Sequence, residues 1–421
     1  MAQTGANSIA VLDLGSAKIC CLIAKIDAEG DARITGVGHL GSSGFESGAV
    51  KDLSRASELV RRVVQQAETM AGHVVDQIVL ITSGGHLPND ILRVEVAASG
   101  HAIETHDITK AVRLAEREVH RPEAVTLHAV PACFTVDGHS GIRNPQGLLG
   151  ENLTLDVNVV SIEPNHFGTL EALANTAMLD VPAVISSGYA AAQACLHDEE
   201  KELGVACVDL GGGISSSVIF CGGKMVFSAA DAIGSDMISR TLAKQLGLPL
   251  SEADRLKKTH GRVWQRDADF KEVIAIDQRA QSGRIEHVEV RKAHLISLIR
   301  PDVEEILNAV AKQLKRAGFV GRDAGPVVLT GGGAQLQGIH QLAEQILGCP
   351  VRFGFPPRLA GLPAALRGPS FASAVGGLVH VMSGERSELS VLSRQLRAGG
   401  TLSSAAPMWP KRMLRWLRSA W

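Results

Sequence analysis

The chain writes one short phrase twice. Ser8–Ile26 reads "SIAVLDLGSAKICCLIAKI": an apolar run, Asp-Leu-Gly, a turn of small residues and a second apolar run. Gly204–Gly222, "GVACVDLGGGISSSVIFCG", repeats that order, and Asp209 stands 196 residues after Asp13. Each reads as a hairpin of buried strands whose turn is too tight for most side chains. Two such hairpins half a chain apart predict two lobes of related construction, and 421 residues are enough for both.

A third glycine turn lies in "PVVLTGGGAQLQGIHQLAEQIL", read as a strand, three glycines and an amphipathic helix. "RASELVRRVVQQAETMAG" is helical, with a stripe at Leu59, Val60, Val63, Val64 and Ala67. "QIVLIT" reads as a buried strand, and "HFGTLEALANTAML" and "YAAAQACLHDEEKEL" as helices. The alternation predicts an α/β fold with mixed sheets. Residues 1–85 and 162–203 are expected to form the first lobe, and 204–236 with 299–382 the second. Residues 86–161, extended runs around the helix "DITKAVRLAEREV", and 237–298 read as inserted subdomains. Residues 383–407, rich in Ser, Gly and Arg, read as a flexible linker, and 408–421 as a closing helix.

Composition narrows the function classes. With 45% apolar and 20% charged residues this is an ordinary globular chain, and a net charge of −2 does not suggest a nucleic-acid partner. Seven Cys, an odd number without paired spacing, fit buried thiols in a reducing compartment better than disulfides or zinc ligands. The N-terminal segment enters a strand with no signal-like pattern, and no apolar run approaches the ~18 residues of a membrane span. A cytoplasmic protein is expected. His101, His106, His120, His128 and His139 in the first insertion lack paired spacing, so no metal site is expected there. Trp264, isolated in "GRVWQRD", reads as the anchor of a surface cluster.

Glycine turns whose backbone N–H groups point outward make anion cradles, because no Cβ keeps a phosphate away. Two of them facing across a cleft would grip a polyphosphate from both sides. An Asp in each could hold the water shell of Mg²⁺. The third turn would open a helix whose N-terminus favours an anion or a polar nucleotide edge. No P-loop signature is present.

"LDLGSAKI", "VDLGGGISSSVI" and "VLTGGGAQLQGI" resemble the first phosphate, second phosphate and adenosine motifs of the actin-like ATPase superfamily. Within it, "GVGHLGSSGFESGAVKDL", "GIRNPQGLLG", "EKELGVACVDLGGG" and "LKKTHG" resemble the bacterial cell-division FtsA family, over nearly the whole chain. The resemblance implies an actin-like (ribonuclease H-like) two-lobed fold with ATP between the lobes. It puts Asp13, Gly15, Ser16 and Lys18 on one side of the phosphates, and Asp209, Gly211, Gly212 and Gly213 on the other. Gly331, Gly332 and Gly333, with the helix bearing Asp254 and Lys257, would hold the adenosine, and Asp13 and Asp209 would hold Mg through water. It also implies self-assembly into filaments and binding of the tubulin-like FtsZ. The division ring would be held on the inner membrane and later division proteins recruited. "RPDVEEILNAVAKQLKRAG", an acidic-to-basic helix with Arg300 at its start, is the expected partner surface, through Arg300 and Glu304. A merely solvated, dipole-matched helix fits that stretch equally well.

Two departures bear on catalysis. The second phosphate motif of the superfamily continues Gly-Gly-Gly-Thr-x-Asp, whereas here Ile214 and Ser216 occupy the Thr and Asp positions. Ser187, beside Gly188, stands where kinases and chaperones of the superfamily open a helix with a carboxylate. General-base help is worth ~10²–10⁴-fold, so nucleotide binding with slow or absent hydrolysis is expected. Ser215–Ser217 would also suit an edge strand. A small-molecule kinase of the superfamily and a PilM-like pilus scaffold are the competing readings.

The tail carries its own signal. From Leu389 onward there is no acid, but Arg394, Arg397, Lys411, Arg412, Arg415 and Arg418 are present, and three of the chain's four Trp fall in the last 13 residues. On a wheel, Trp409, Pro410, Met413, Leu414, Trp416, Leu417, Ala420 and Trp421 share one arc of roughly 160°. Lys411, Arg412, Arg415, Arg418 and Ser419 fill the other side. Trp at a boundary with cations above it is the pattern of an interfacial helix, and each cation near an anionic leaflet adds ~1 kcal/mol. A helix docked on the core is the alternative.

Overall fold

The computed structural model describes residues 8–382, apart from 27–31, 85–86, 120–122, 143, 280–284, 320 and 322–323. The linker and closing helix expected from 383 onward lie outside the described residues.

The first hairpin forms as expected. β1 (Ser8–Leu14) pairs antiparallel with β2 (Lys18–Ile26), and β3 (Ala32–Gly41) adds to β2. A small hairpin, β4 (Phe45–Glu46) and β5 (Ala49–Val50), leads to α1 (Leu53–Ala71) and β6 (Val79–Thr82). Asp52 caps α1 by accepting from the Arg55 N–H, and Gly72 ends it in the left-handed region at φ 74°. The helix buries the expected stripe against β3. Gly36, Gly38 and Gly41 spell the spacing of a dinucleotide-binding turn, yet they lie within β3. A Cβ on Gly36 or Gly38 would collide with the Ala67 or Val63 carbonyl, so these two glycines admit α1 rather than a phosphate.

The first insertion is a sheet ordered β7 (Asn89–Ala97), β10 (Asn152–Ile162), β8 (Val125–Val136), β9 (His139–Ile142). α2 (Thr105–Val119) covers one face and closes a separate core around Phe134, Leu153 and Leu155. Pro131 is tolerated within β8 because the register slips there, between the Asp156 and Val157 pairings. The chain then returns through α3 (Pro164–Asn175), β11 (Val184–Ser186), α4 (Ser187–Cys195) and α5 (Asp198–Leu203). The single helix expected over "YAAAQACLHDEEKEL" is two. Leu196 is extended, and Glu200 reaches back to the His197 N–H at 2.9 Å. Asp198, Glu199 and Glu200 suit the positive first turn of a new helix better than the last turn of an old one.

The second lobe repeats the first strand for strand. It begins with β12 (Val205–Leu210), β13 (Ser215–Cys221), β14 (Lys224–Asp231), α6 (Asp236–Leu246) and α7 (Leu250–His260). The ribbon β15 (Val273–Arg279) and β16 (Ile285–Arg291) follows, then α8 (Lys292–Arg316) and β17 (Val327–Thr330). It closes with α9 (Ile339–Leu347), β18 (Val351–Phe353) and α10 (Ala372–Met382). The sheets run β3-β2-β1-β6-β11 and β14-β13-β12-β17-β18, each with an antiparallel half and a parallel half about its first strand.

Two expectations change here. β13 is interior, not an edge strand, and Ser215, Ser216 and Ser217 are buried. α8 begins at Lys292, so Arg300 lies within it and Pro301 is internal. An internal Pro costs a helix a hydrogen bond. The helix runs through because Leu295, Ile296, Ile299, Val303, Ile306 and Leu307 form one continuous buried stripe. α10 then crosses back to lie on α4 and β1, close enough that a Cβ on Gly376 would collide with the Ala190 carbonyl.

Candidate functional site

The two hairpin turns meet tip to tip. In each, the first glycine donates to the carbonyl three residues on: Gly15 to Lys18 at 3.1 Å and Gly211 to Ile214 at 2.9 Å. A Cβ on Gly212 would lie 2.8 Å from the Ala17 Cβ, and one on Gly213 would lie 2.7 Å from Ser16 Oγ. Ser16 Oγ accepts from the Gly48 N–H at 2.7 Å, which brings the β4–β5 turn to the same point. Among the described residues the N–H groups of Ser16, Ala17, Gly212 and Gly213 have no hydrogen-bond partner, leaving four donors for an anion.

The two matched aspartates occupy the same register. Asp13 pairs across its hairpin with Cys20 and sideways with Ile81, and Asp209 with Ser216 and Thr330. Burial pushes the Asp13 carboxyl up to about 7, opposed by the Lys18 charge and reinforced by Asp209. Burial likewise raises Asp209 to about 6, with Lys18 and a hydrogen bond from Ser373 Oγ (3.4 Å) holding it lower. Lys18 Nζ donates to the Ser370 carbonyl and lies 4.5 Å from the centroid of the Phe371 ring. Two buried carboxylates and a set of unpartnered backbone N–H groups are a donor set that a divalent cation and a polyphosphate would fit.

The third turn closes on the second. A Cβ on Gly331, at φ +88°, would collide with Asp209, and one on Gly333 would lie 3.0 Å from Leu210. Gly332 is more open, with Ser370 as its neighbour. The turn does not open α9 directly. A single 3-10 turn and Gly338 intervene before Ile339, because Gly331 at φ > 0 sends the chain sideways first. Lys257 of α7 donates to the Ser235 carbonyl at 3.0 Å and pairs with Asp254 at 2.9 Å. Ser235 also packs on Gly333, so Asp254 and Lys257 are placed behind the third turn.

Ser187 and Gly188 open α4, and a Cβ on Gly188 would lie 2.7 Å from Ser216 Oγ. The two positions that depart from the motifs of hydrolytic relatives are therefore neighbours. Ser215 Oγ donates to the Ile233 carbonyl and Ser217 Oγ to Gln313 of α8 at 2.6 Å, which explains why serines are tolerated inside the sheet.

Several residues at this site were not legible beforehand. The Asp236 carboxylate flanks Gly212, and Ser47, Ser370, Phe371 and Ser373 join from other segments. The one available signal was Ser235-Asp236 at the start of a helix.

Comparison with known proteins places the chain. The family model for "Cell division protein FtsA" matches residues 206–376, and that for "SHS2 domain inserted in FTSA" matches residues 84–161. The chain is 33% identical over 382 residues to the cell division protein FtsA of Rhizobium meliloti (strain 1021), covering 88% of this chain and 86% of the relative. This chain belongs to the FtsA family. It is also 28% identical over 416 residues to FtsA of Escherichia coli (strain K12), across 97% of this chain and 96% of that one. Among solved structures it resembles the chain of a PilM-PilN type IV pilus biogenesis complex, at TM-score 0.60 and 16% identity, over 89% of this chain and 98% of that one. It also resembles MreB 5 of Spiroplasma citri bound to AMPPNP, at TM-score 0.56 and 12% identity, over 94% and 100% of the two chains. The fold is thus the actin-like two-lobed one, with the FtsA-type subdomain inserted in the first lobe.

Elsewhere on this FtsA-family chain, Arg300 pairs with Glu304 at 2.8 Å and lies 4.2 Å over the Trp264 ring. Trp264, isolated in sequence, thus anchors a side-chain cluster that includes Arg300, as expected. Among the described residues no helix is long and apolar enough to cross a membrane. Trp409, Lys411, Arg412, Met413, Leu414, Arg415, Trp416, Leu417, Arg418 and Trp421 lie outside them.

Proposed function

We propose that this cell-division protein binds Mg-ATP between its lobes and assembles into filaments on the cytoplasmic face of the membrane. There it binds FtsZ, anchors the division ring and helps recruit later division proteins. The observation that carries the nucleotide reading is the meeting of two glycine turns, each with an Asp at the same register. Ser16, Ala17, Gly212 and Gly213 N–H groups would hold the phosphates, and Lys18 would offset their charge. Bound Mg would supply positive charge that lowers both Asp13 and Asp209 into their ionised forms. Gly331–Gly333 and α7 would hold the adenosine. Hydrolysis is slow or absent, because serines stand at the two positions expected of a base. Steady turnover near ~1 s⁻¹ by the purified protein would defeat that part, since it requires the base these positions lack.

The tail supplies the membrane contact. Its four cations and three Trp make a modest anchor that gains strength when many copies line up. The test is flotation on anionic vesicles, comparing the full chain with one truncated at Ser404, with and without ATP and FtsZ. Equal flotation of both would remove the tail from this role. FtsZ binding is assigned to the Trp264–Arg300–Glu304 patch. Charge reversal at Arg300 and Glu304 should abolish co-pelleting with FtsZ, and intact co-pelleting would move the site elsewhere.

A further inference from the structure

The loop after β7 and the first turn of α2 bring three potential metal ligands together. Ligand atoms of His101, His106 and Asp107 all lie within 4.8 Å of one another. Sequence spacing gave no reason to expect a metal site here, and the geometry supplies one. We propose that His101, His106 and Asp107 form a divalent transition-metal site of the zinc class on the inserted subdomain.

Two imidazoles and one carboxylate are a donor set that zinc accepts, at about 2.0–2.2 Å from each atom. The supports are already built. The His101 Nδ1–H donates to the Ala102 carbonyl at 2.8 Å, which turns Nε2 outward as the free lone pair. One oxygen of the buried Asp107 accepts the Glu104 N–H at 2.9 Å, while the other faces His106 Nε2 at 3.0 Å. Metal-bound histidines and carboxylates are characteristically oriented by such outer hydrogen bonds. Glu104 lies 3.5 Å from His106 Nδ1, on the side of the ring away from Asp107, where it can orient the imidazole as an outer partner. Capping α2 accounts for Asp107, and His106 pairs with it, but neither role calls for His101 to converge on the same point.

Opposing forces set the strength. The positive end of α2 disfavours a cation, and Lys110 lines the same groove as His106. Asp107 and Glu104 offset both, which points to micromolar rather than structural affinity. Bound metal would fasten the loop to α2. That loop carries the Ala102–Leu149 bridge, so the ion would stiffen the tip where Leu149 is exposed.

The test is titration of the full-length, metal-stripped chain with Zn²⁺ against a chromophoric chelator, and with Co²⁺ followed by visible absorption. One Zn²⁺ should bind, at least about tenfold more weakly in His101→Ala and His106→Ala. Asp107→Asn keeps an oxygen for the Glu104 N–H, so it should fold normally and still lose affinity. Zn²⁺ should raise the melting temperature of the parent and not of His101→Gln. Superimposable titrations of the parent and the double histidine variant would overturn the site. So would a thiolate charge-transfer band with Co²⁺, or no uptake by the parent.

Discussion

The two phosphate hairpins share a backbone and divide the work. Both close with the same glycine-to-carbonyl bond and carry Asp at the same register. The first turn, Gly15-Ser16-Ala17-Lys18, keeps side chains: Ser16 binds the Gly48 N–H and Lys18 faces both carboxylates. The second, Gly211-Gly212-Gly213-Ile214, is stripped to glycine where Ala17 and Ser16 press on it. One hairpin furnishes charge and the other furnishes room. Gly212 and Gly213 lack side chains because Cβ atoms there would collide with Ala17 and Ser16 of the first turn.

The largest expected effect concerns the carboxylates. Both have folded pKa values above the unfolded one near 3.8, so the folded chain holds extra protons between about pH 4 and 7. Stability of the nucleotide-free protein is therefore greatest at the acidic end of that window and falls as pH rises through it. The upper bound is on the order of 4 kcal/mol for Asp13 and 3 for Asp209. Thermal melts from pH 5 to 8 should decline, and Asp13→Asn should flatten the decline more than Asp209→Asn. An undiminished slope in Asp13→Asn would erase the asymmetry.

Next, Gly213→Val should weaken binding of a fluorescent ATP analogue by about a hundredfold, nearly 3 kcal/mol. Ala17→Gly, at the facing position, should stay within about threefold. Equal losses would mean that room is not what the second turn contributes. Lys18→Met removes the cation shared by both carboxylates and should cost about tenfold in the same assay. Ile214→Lys, its counterpart, should not rescue it. The smallest effect separates the ends of the cleft. Arg240 and Glu46 bridge the lobes at 2.8 Å but are both exposed, so Arg240→Ala should change nucleotide release less than about threefold. Arg352 holds Glu200 at 2.7 Å and the Cys195 carbonyl at 2.9 Å from a less exposed position, and Arg352→Ala should loosen the lobes more.

Much of this architecture was readable one-dimensionally. The repeated Asp-Leu-Gly phrase, the stripe of α1 and the extended runs of the first insertion all depend on short-range periodicity. The misreadings share a cause. Leu196 breaks a pattern that propensity would continue, and α8 starts eight residues before Arg300 because packing carries it past Pro301. Asp236, Ser373 and the Ser370–Phe371 pair reach the site from segments far from the glycine turns, and no local pattern marks them.

The sequence by itself determined the duplicated hairpins, their paired aspartates and the amphipathic character of the tail. Those properties follow from side-chain size and period along a few residues. Tertiary structure alone decided that the two turns touch, that Lys18 serves both carboxylates and that β13 is interior. It also folded His101 back onto the adjacent His106 and Asp107. Such meetings depend on how strands are ordered and loops folded back, and chain spacing carries no record of distance across a fold.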